Sequence, residues 1–302
     1  MFSEAMSKQF PVALSHHLAG RVRATRRRYR KRLARCQEAF SEKAVHDLRV
    51  ETRRVLALVD LLETLHFKDG LNRLSRLFKK RLDSFDDLRD TQVQLRLLKP
   101  LWRQFPEARE FRTQLRQHEQ RLITGHAREI KSVGHARPNR KLKELQKVLR
   151  KRAGREGRDS SESLVSSALQ AAFDQVVALR ANVFRRDVAA IHRMRVAFKR
   201  YRYMSELLQP FQPWLTTARC RRMRIYQALA GEIQDIVVLL ERLGHYVREQ
   251  TVSKVATRDL RKELLRRKRR AIDSFMTRID ELYDFQPAAE AGQSERTRPI
   301  RK

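Results

Sequence analysis

The chain has 302 residues, and its 68 Lys and Arg against 35 Asp and Glu give a formal net charge of +33. That length accommodates a full hydrophobic core without disulfide staples, as one large domain or two smaller ones, while the charge makes a polyanion the default partner: DNA, RNA, inorganic polyphosphate or an anionic membrane. The two cysteines, Cys36 and Cys220, are isolated; without CxxC or Cys/His spacing they argue against a zinc site or a secreted disulfide framework and fit a reducing cytoplasm.

The opening MFSEAMSKQFPVALSHHLAG holds no apolar core of signal-peptide length, and runs such as IVVLL from Ile236 fall far short of a span. Neither export nor membrane insertion is expected. From there on apolar residues recur with a period near 3.6, period-2 alternation is nearly absent, and the few Gly and Pro cluster as punctuation, so the chain is expected to be all-α. Helices are predicted over roughly 12–40, 43–66, 70–98 and 105–132, then 161–184, 188–208, 214–248 and 254–284, four per half. Gly70, the stretch from Pro100 to Pro106, Gly134, Pro138, the stretch from Pro210 to Pro213 and Pro287 separate these segments. Between the halves, at about 135–160, a short basic helix around Lys141 to Arg152 gives way to a Gly, Arg and Ser-rich stretch that is read as a linker. From Gln286 onward the sequence is polar, and a disordered tail is expected.

Two stretches about 146 positions apart repeat one arrangement: VHDLRVETRR from Val45 and IHRMRVAFKR from Ile191. On a helix advancing about 100° per residue, His46, Arg49 and Arg53 lie within roughly a 60° arc, as do His192, Arg195 and Lys199. Each set is a cationic stripe. Another face of each helix is apolar, with Leu48, Val55, Val59 and Leu62 in the first copy and Met194, Phe198, Tyr201 and Leu208 in the second, so one face can pack while another presents charge. Arg54 and Arg200 lie about 80° from the histidine, and Arg202 flanks the second stripe.

A second echo follows at an offset of about 145, where FDDLRDTQVQLRLL matches AGEIQDIVVLLERL. Asp90 corresponds to Asp235, Val93 to Val238 and Lys79 to Arg224, while Arg89 faces Gln234. Similarity extending this far along both halves points to duplication followed by drift.

A helix opening V/I-H-x-x-R-V-x-x-x-R/K, then a later helix carrying an Asp-x-x-Val pattern, all of it twice, resembles the CHAD domain, the conserved histidine α-helical domain, over nearly the whole chain. The resemblance implies a single CHAD domain over 10–285, with repeats at about 10–134 and 161–285. It further implies two four-helix bundles related by approximate twofold symmetry, and a basic groove or pore that binds inorganic polyphosphate. Two departures stand out: Phe85 and Asp86 replace Leu-Gly in the first copy, and Gln234 replaces an arginine in the second. The E-x-E-x-K strand motif of the CYTH domain is absent, so the stand-alone form is expected.

A phosphate chain has no bases to read and needs only donors spaced along its length. Arginine offers a planar fork, lysine a mobile point charge, and histidine becomes cationic beside a polyanion. Besides the two stripes, Lys79, Lys80 and Arg224 are expected to enlarge the groove. Asp90 and Asp235 cannot attract a polyanion and are expected to hold basic side chains in place; Asp60 and Glu206 mark the acidic end of the stripes.

No Walker-type loop occurs, and neither histidine has a carboxylate or cysteine at ligand spacing within its crowd of cations. No catalysis, metal or cofactor is expected. The leading expectation is a cytoplasmic polyphosphate-binding module, associated with polyphosphate granules. Its rival is nonspecific nucleic-acid binding through RVRATRRRYRKRLAR from Arg21 and the RRKRR ending at Arg270, although aromatics make up only 7% of the chain and stacking platforms are correspondingly few.

Overall fold

The computed structural model of the protein describes residues 14–67, 70–132, 136–153, 160–249 and 257–288. Among the described residues ten α-helices follow one another without a strand: α1 (Leu14–Glu38), α2 (Glu42–Thr64), α3 (Leu71–Asp83), α4 (Asp86–Leu98), α5 (Glu107–Ser132), α6 (Ala136–Ala153), α7 (Ser160–Arg180), α8 (Val188–Leu208), α9 (Thr217–Glu249) and α10 (Arg258–Thr277). Short 3-10 helices run over Gln209–Phe211 and Ile279–Phe285.

The two histidine-bearing helices, α2 and α8, begin with side-chain caps. Ser41 Oγ accepts from the Ala44 amide at 3.3 Å, and Asp187 Oδ1 from the Ala190 amide at 2.8 Å, each satisfying one of the donors a helix start leaves unpaired. Their expected apolar faces are buried, from Leu48 through Leu62 and from Met194 through Leu208. Gly70 precedes α3 with φ +72, a left-handed conformation that glycine adopts without steric cost.

Two expectations need correction. The segment expected as one helix over 70–98 is broken at Ser84 and Phe85 into α3 and α4, whereas its counterpart α9 runs unbroken for 33 residues. Phe85 is buried and stacks on His126 with ring centroids 4.8 Å apart, so packing of the aromatic ring accompanies the break. The supposed linker is, over Ala136–Ala153, a helix lying along α1 and touching α3. Its Leu142, Leu145 and Leu149 are buried in the main core, at the i, i+3, i+7 spacing of one helix face. The remainder of the expected linker, 154–159, and the tail from 289 lie outside the described residues.

One bundle is formed by α1, α2, α3 and α6, and another by α7, α8, α9 and α10. The second is closed by the 3-10 segment Ile279–Phe285: the Tyr226 hydroxyl donates to the Ile279 carbonyl at 2.8 Å, and the Tyr201 hydroxyl donates to the Phe285 carbonyl. α4 pairs with α5, and these two share a smaller apolar cluster with α9 and α10 around Leu98, Phe111, Leu239 and Leu264. The halves are joined where α2 meets α8 and α4 meets α9. A single core, from Leu14 to Phe285, runs through both.

Candidate polyanion-binding site

The α2–α8 contact brings the two basic stripes together. Arg53, Arg195 and Lys199 meet there, partly buried, and no hydrogen bond or ion pair to the described residues engages any of them. Burial first, then the charges of Arg53, Arg195, Arg202 and Arg49, bring the Lys199 ammonium down from 10.5 to about 7. Burial likewise lowers Arg53, helped by Arg49 and Arg195 and opposed by Tyr203 and Asp86. At Arg195 burial also lowers the value, while Asp235 and Tyr203 pull it back up. Uncompensated cations held out of water in one place are costly unless an anion arrives. An anion seated among these three side chains would offset that cost.

The histidines flank the cluster. His46 sits in the field of Arg89, Arg53 and Arg96; desolvation, then these cations, hold it below its usual value, opposed by Asp47. Its counterpart His192 shares a hydrogen bond at 2.9 Å between Nδ1 and Gln234 Oε1. Where the second half has Gln234, the first has Arg89, which reaches Glu42 at 3.1 Å beside Arg96 at 3.0 Å.

Other expected donors are committed elsewhere. Arg49, expected on the open stripe, is buried: its Nη1 donates to the Leu82 carbonyl at 2.7 Å and its Nη2 to the Asp86 carboxylate. Arg54 pairs with Glu51, which also takes Arg28 at 3.1 Å. Arg200 bridges the halves by pairing with Asp60 on α2 and reaching Gln175 and Thr64. Arg202 is buried against Glu206, donates to Gln227 at 2.7 Å and stacks over Tyr203 at 4.2 Å. Arg224 donates to the same Glu206 at 2.8 Å, which raises its own value. Glu206 is thus a structural counterion for two arginines. Lys79 and Lys80 are exposed on α3, and no contact ties them to the central cluster.

Asp90 and Asp235 lie near one another where α4 meets α9, and both are raised, by burial first. Asp235 reaches Arg96 at 3.7 Å and feels Arg195 and Arg89, which suits the expected supporting part. Asp90 makes no ion pair among the described residues; Arg49 is held by Asp86 instead.

The CHAD domain family model matches residues 16–244. The chain belongs to the CHAD family. Among solved structures it resembles the crystal structure of the CHAD domain from the plant Ricinus communis, with a TM-score of 0.74 and 18% identity over 95% of this chain and 98% of that one. No curated protein matches the sequence. At that identity the likeness concerns the CHAD fold, which the ten helices share.

Tyr203 in this CHAD domain was missed from sequence, and Arg21 was read only as the start of the basic run on α1. Tyr203 acts on both Arg53 and Arg195; it stands four residues after Lys199 and eight after Arg195, a spacing that places it beside the stripe. Arg21 of α1 is partly buried with its Nε unpaired, among Arg28, Arg54, Glu206 and Glu51. No local pattern marks that setting, because Arg54 and Glu51 come from α2 and Glu206 from α8.

Proposed function

We propose that this CHAD protein binds inorganic polyphosphate at the α2–α8 junction, through Arg53, Arg195 and Lys199, with His46 and His192 at the margins. The family is associated with polyphosphate binding in general. The observation that carries the reading here is that three clustered, partly buried cations make no direct hydrogen bond or ion pair to the described residues, with Asp235 and Asp86 acting on Arg195 and Arg53 only at longer range. We read the recurrence at an offset of about 146 as an internal duplication that has set two cationic edges against each other. Their junction forms a groove for an unbranched anion. The chain acts as a binding and localising module, at polyphosphate granules in the cytoplasm, without chemistry of its own.

The rival, a nucleic-acid backbone, would engage the exposed Arg23, Arg27, Arg30 and Lys31 and the half-buried Arg26 on the outside of α1, none of them paired among the described residues, rather than the junction. Competition at physiological salt among long-chain polyphosphate, DNA and RNA, matched by phosphate concentration, separates the two. Polyphosphate is expected to resist displacement, and the loss of that binding is expected in an Arg53→Ala, Arg195→Ala, Lys199→Ala variant. Ready displacement by nucleic acid, or full polyphosphate affinity in the triple variant, sinks the reading.

A further inference from the structure

The equivalent arginines of the two halves are treated in opposite ways. Arg49 is engaged by the Leu82 carbonyl and the Asp86 carboxylate and keeps 5% of its side chain exposed, whereas Asp86 keeps 52%. At the position matching Asp86, an offset of 145, α9 carries Gly231. Arg195 lies over that glycine: a Cβ there would stand 3.7 Å from Arg195 Nε, an ordinary contact distance, and that Nε has no partner. The difference has a local origin. The break between α3 and α4 creates both the C-terminal carbonyls that Arg49 caps and the helix start that Asp86 occupies, an arrangement favourable to a cation at the first and an anion at the second.

We propose that Asp86 is a built-in competitor for the anion site, withholding Arg49 from polyphosphate. A carboxylate on a guanidinium makes the same charge-assisted contact that a phosphate would, and Asp86 makes it intramolecularly, always present at the site. A phosphate chain therefore engages Arg53, Arg195 and Lys199 at the junction without Arg49, and Asp86 sets how far the contact track runs into the first half. Gly231 leaves Arg195 open by supplying no side chain.

This inference rests on the polyphosphate reading, and its test separates the two. Polyphosphate affinity is measured against salt concentration for the wild type, for Asp86→Gly, and for Asp83→Asn, which removes a nearby exposed and unpaired charge. Asp86→Gly is expected to bind more tightly than Asp83→Asn, with the slope of log affinity against log salt steeper by about one, the signature of one added phosphate contact. Arg49→Gln is expected to leave wild-type affinity within about twofold and to abolish the gain in the Asp86→Gly background. Gly231→Asp is expected to lower affinity as much as Arg195→Gln. The proposal is overturned if Arg49→Gln weakens the wild type as much as Arg195→Gln does, or if Asp86→Gly behaves like Asp83→Asn.

Should circular dichroism show Asp86→Gly or Arg49→Gln unfolded, Asp86→Asn keeps the helix start without the charge. An unchanged salt slope in both Asp86→Asn and Gly231→Asp then overturns the proposal. A wild type that binds no polyphosphate defeats the functional reading as well; one that binds while Asp86→Gly matches its control defeats this inference alone.

Discussion

Lys199 on α8 and Arg53 on α2 face each other across the junction of the two halves, and neither is hydrogen-bonded to a carboxylate or carbonyl among the described residues. Their repulsion is built into the folded state, so whatever anion settles between them relieves it. A saturating phosphate oligomer at a hundred times its Kd is expected to stabilise the protein by about 2.7 kcal/mol, or roughly 4–8 °C in Tm. Lys199→Met is expected to raise the ligand-free Tm and shrink that shift, as read by differential scanning calorimetry. A ligand-free Tm that falls would show that the ammonium is not repelled in the free protein.

Lys199 also fixes the sign of the pH response. Its folded value of about 7 lies below 10.5, so between those two values the unfolded chain holds a proton that the folded one has released. Stability of the ligand-free protein from this group therefore rises with pH across that window. Polyphosphate affinity is expected to move the other way, weakening as pH climbs through 7 and the ammonium is lost. Calorimetric titration at pH 8 is expected to show proton uptake on binding in the wild type and none from this site in Lys199→Met. His46, held below its usual value, contributes only in more acidic solution. Equal affinity at pH 6 and pH 9 would remove Lys199 from the contact surface.

Arg53→Ala and Arg195→Ala are each expected to weaken polyphosphate binding by about 10- to 100-fold, the worth of one charge-assisted contact at about 1.5–3 kcal/mol. Arg200→Ala, whose ion pair with Asp60 is exposed on both sides, is expected to cost at most about 1 kcal/mol of stability and little affinity. Equal losses in all three would mean that net charge, not position, governs binding.

Glu51 is the buried counterion of Arg28 and Arg54, with 3% of its side chain exposed. Glu51→Gln is expected to cost about 2–3 kcal/mol in urea unfolding, somewhat less than a fully buried broken pair because both arginines remain about one-third exposed. No change in the urea midpoint would mean that water satisfies both guanidinium groups unaided.

Leu149 of α6 is fully buried in the main core. Leu149→Ala is expected to destabilise by about 2–5 kcal/mol, as cavities in packed interiors do. A neutral result would return α6 to the status of a tether.

The apolar sides of α2 and α8 could be read from residue spacing because helical periodicity is local: Leu48, Val55, Met194 and Phe198 all lie in the core. The convergence of Arg53 with Arg195 and Lys199 followed from the recurrence of one stripe. Other features were hidden because their causes are tertiary. In α6, where half of the residues are charged, the three leucines that pack are masked, and the fate of Arg49 depends on Leu82 and Asp86, more than thirty positions away. Asp86 was visible as a departure from the family pattern, but a sequence motif does not say which side chain a carboxylate meets. The same limit concealed the partners of Glu206, two arginines that stand on α8 and α9.

The continuity of the apolar interior from Leu14 to Phe285 has a consequence for synthesis. A nascent chain released as far as α6 has a bundle whose inner surface still awaits α8, and the second bundle lacks its closing aromatic until Phe285 emerges. Neither half can complete its packing while the other is missing. Cutting between α6 and α7 would therefore yield not two small proteins but two fragments that must reassociate to become one.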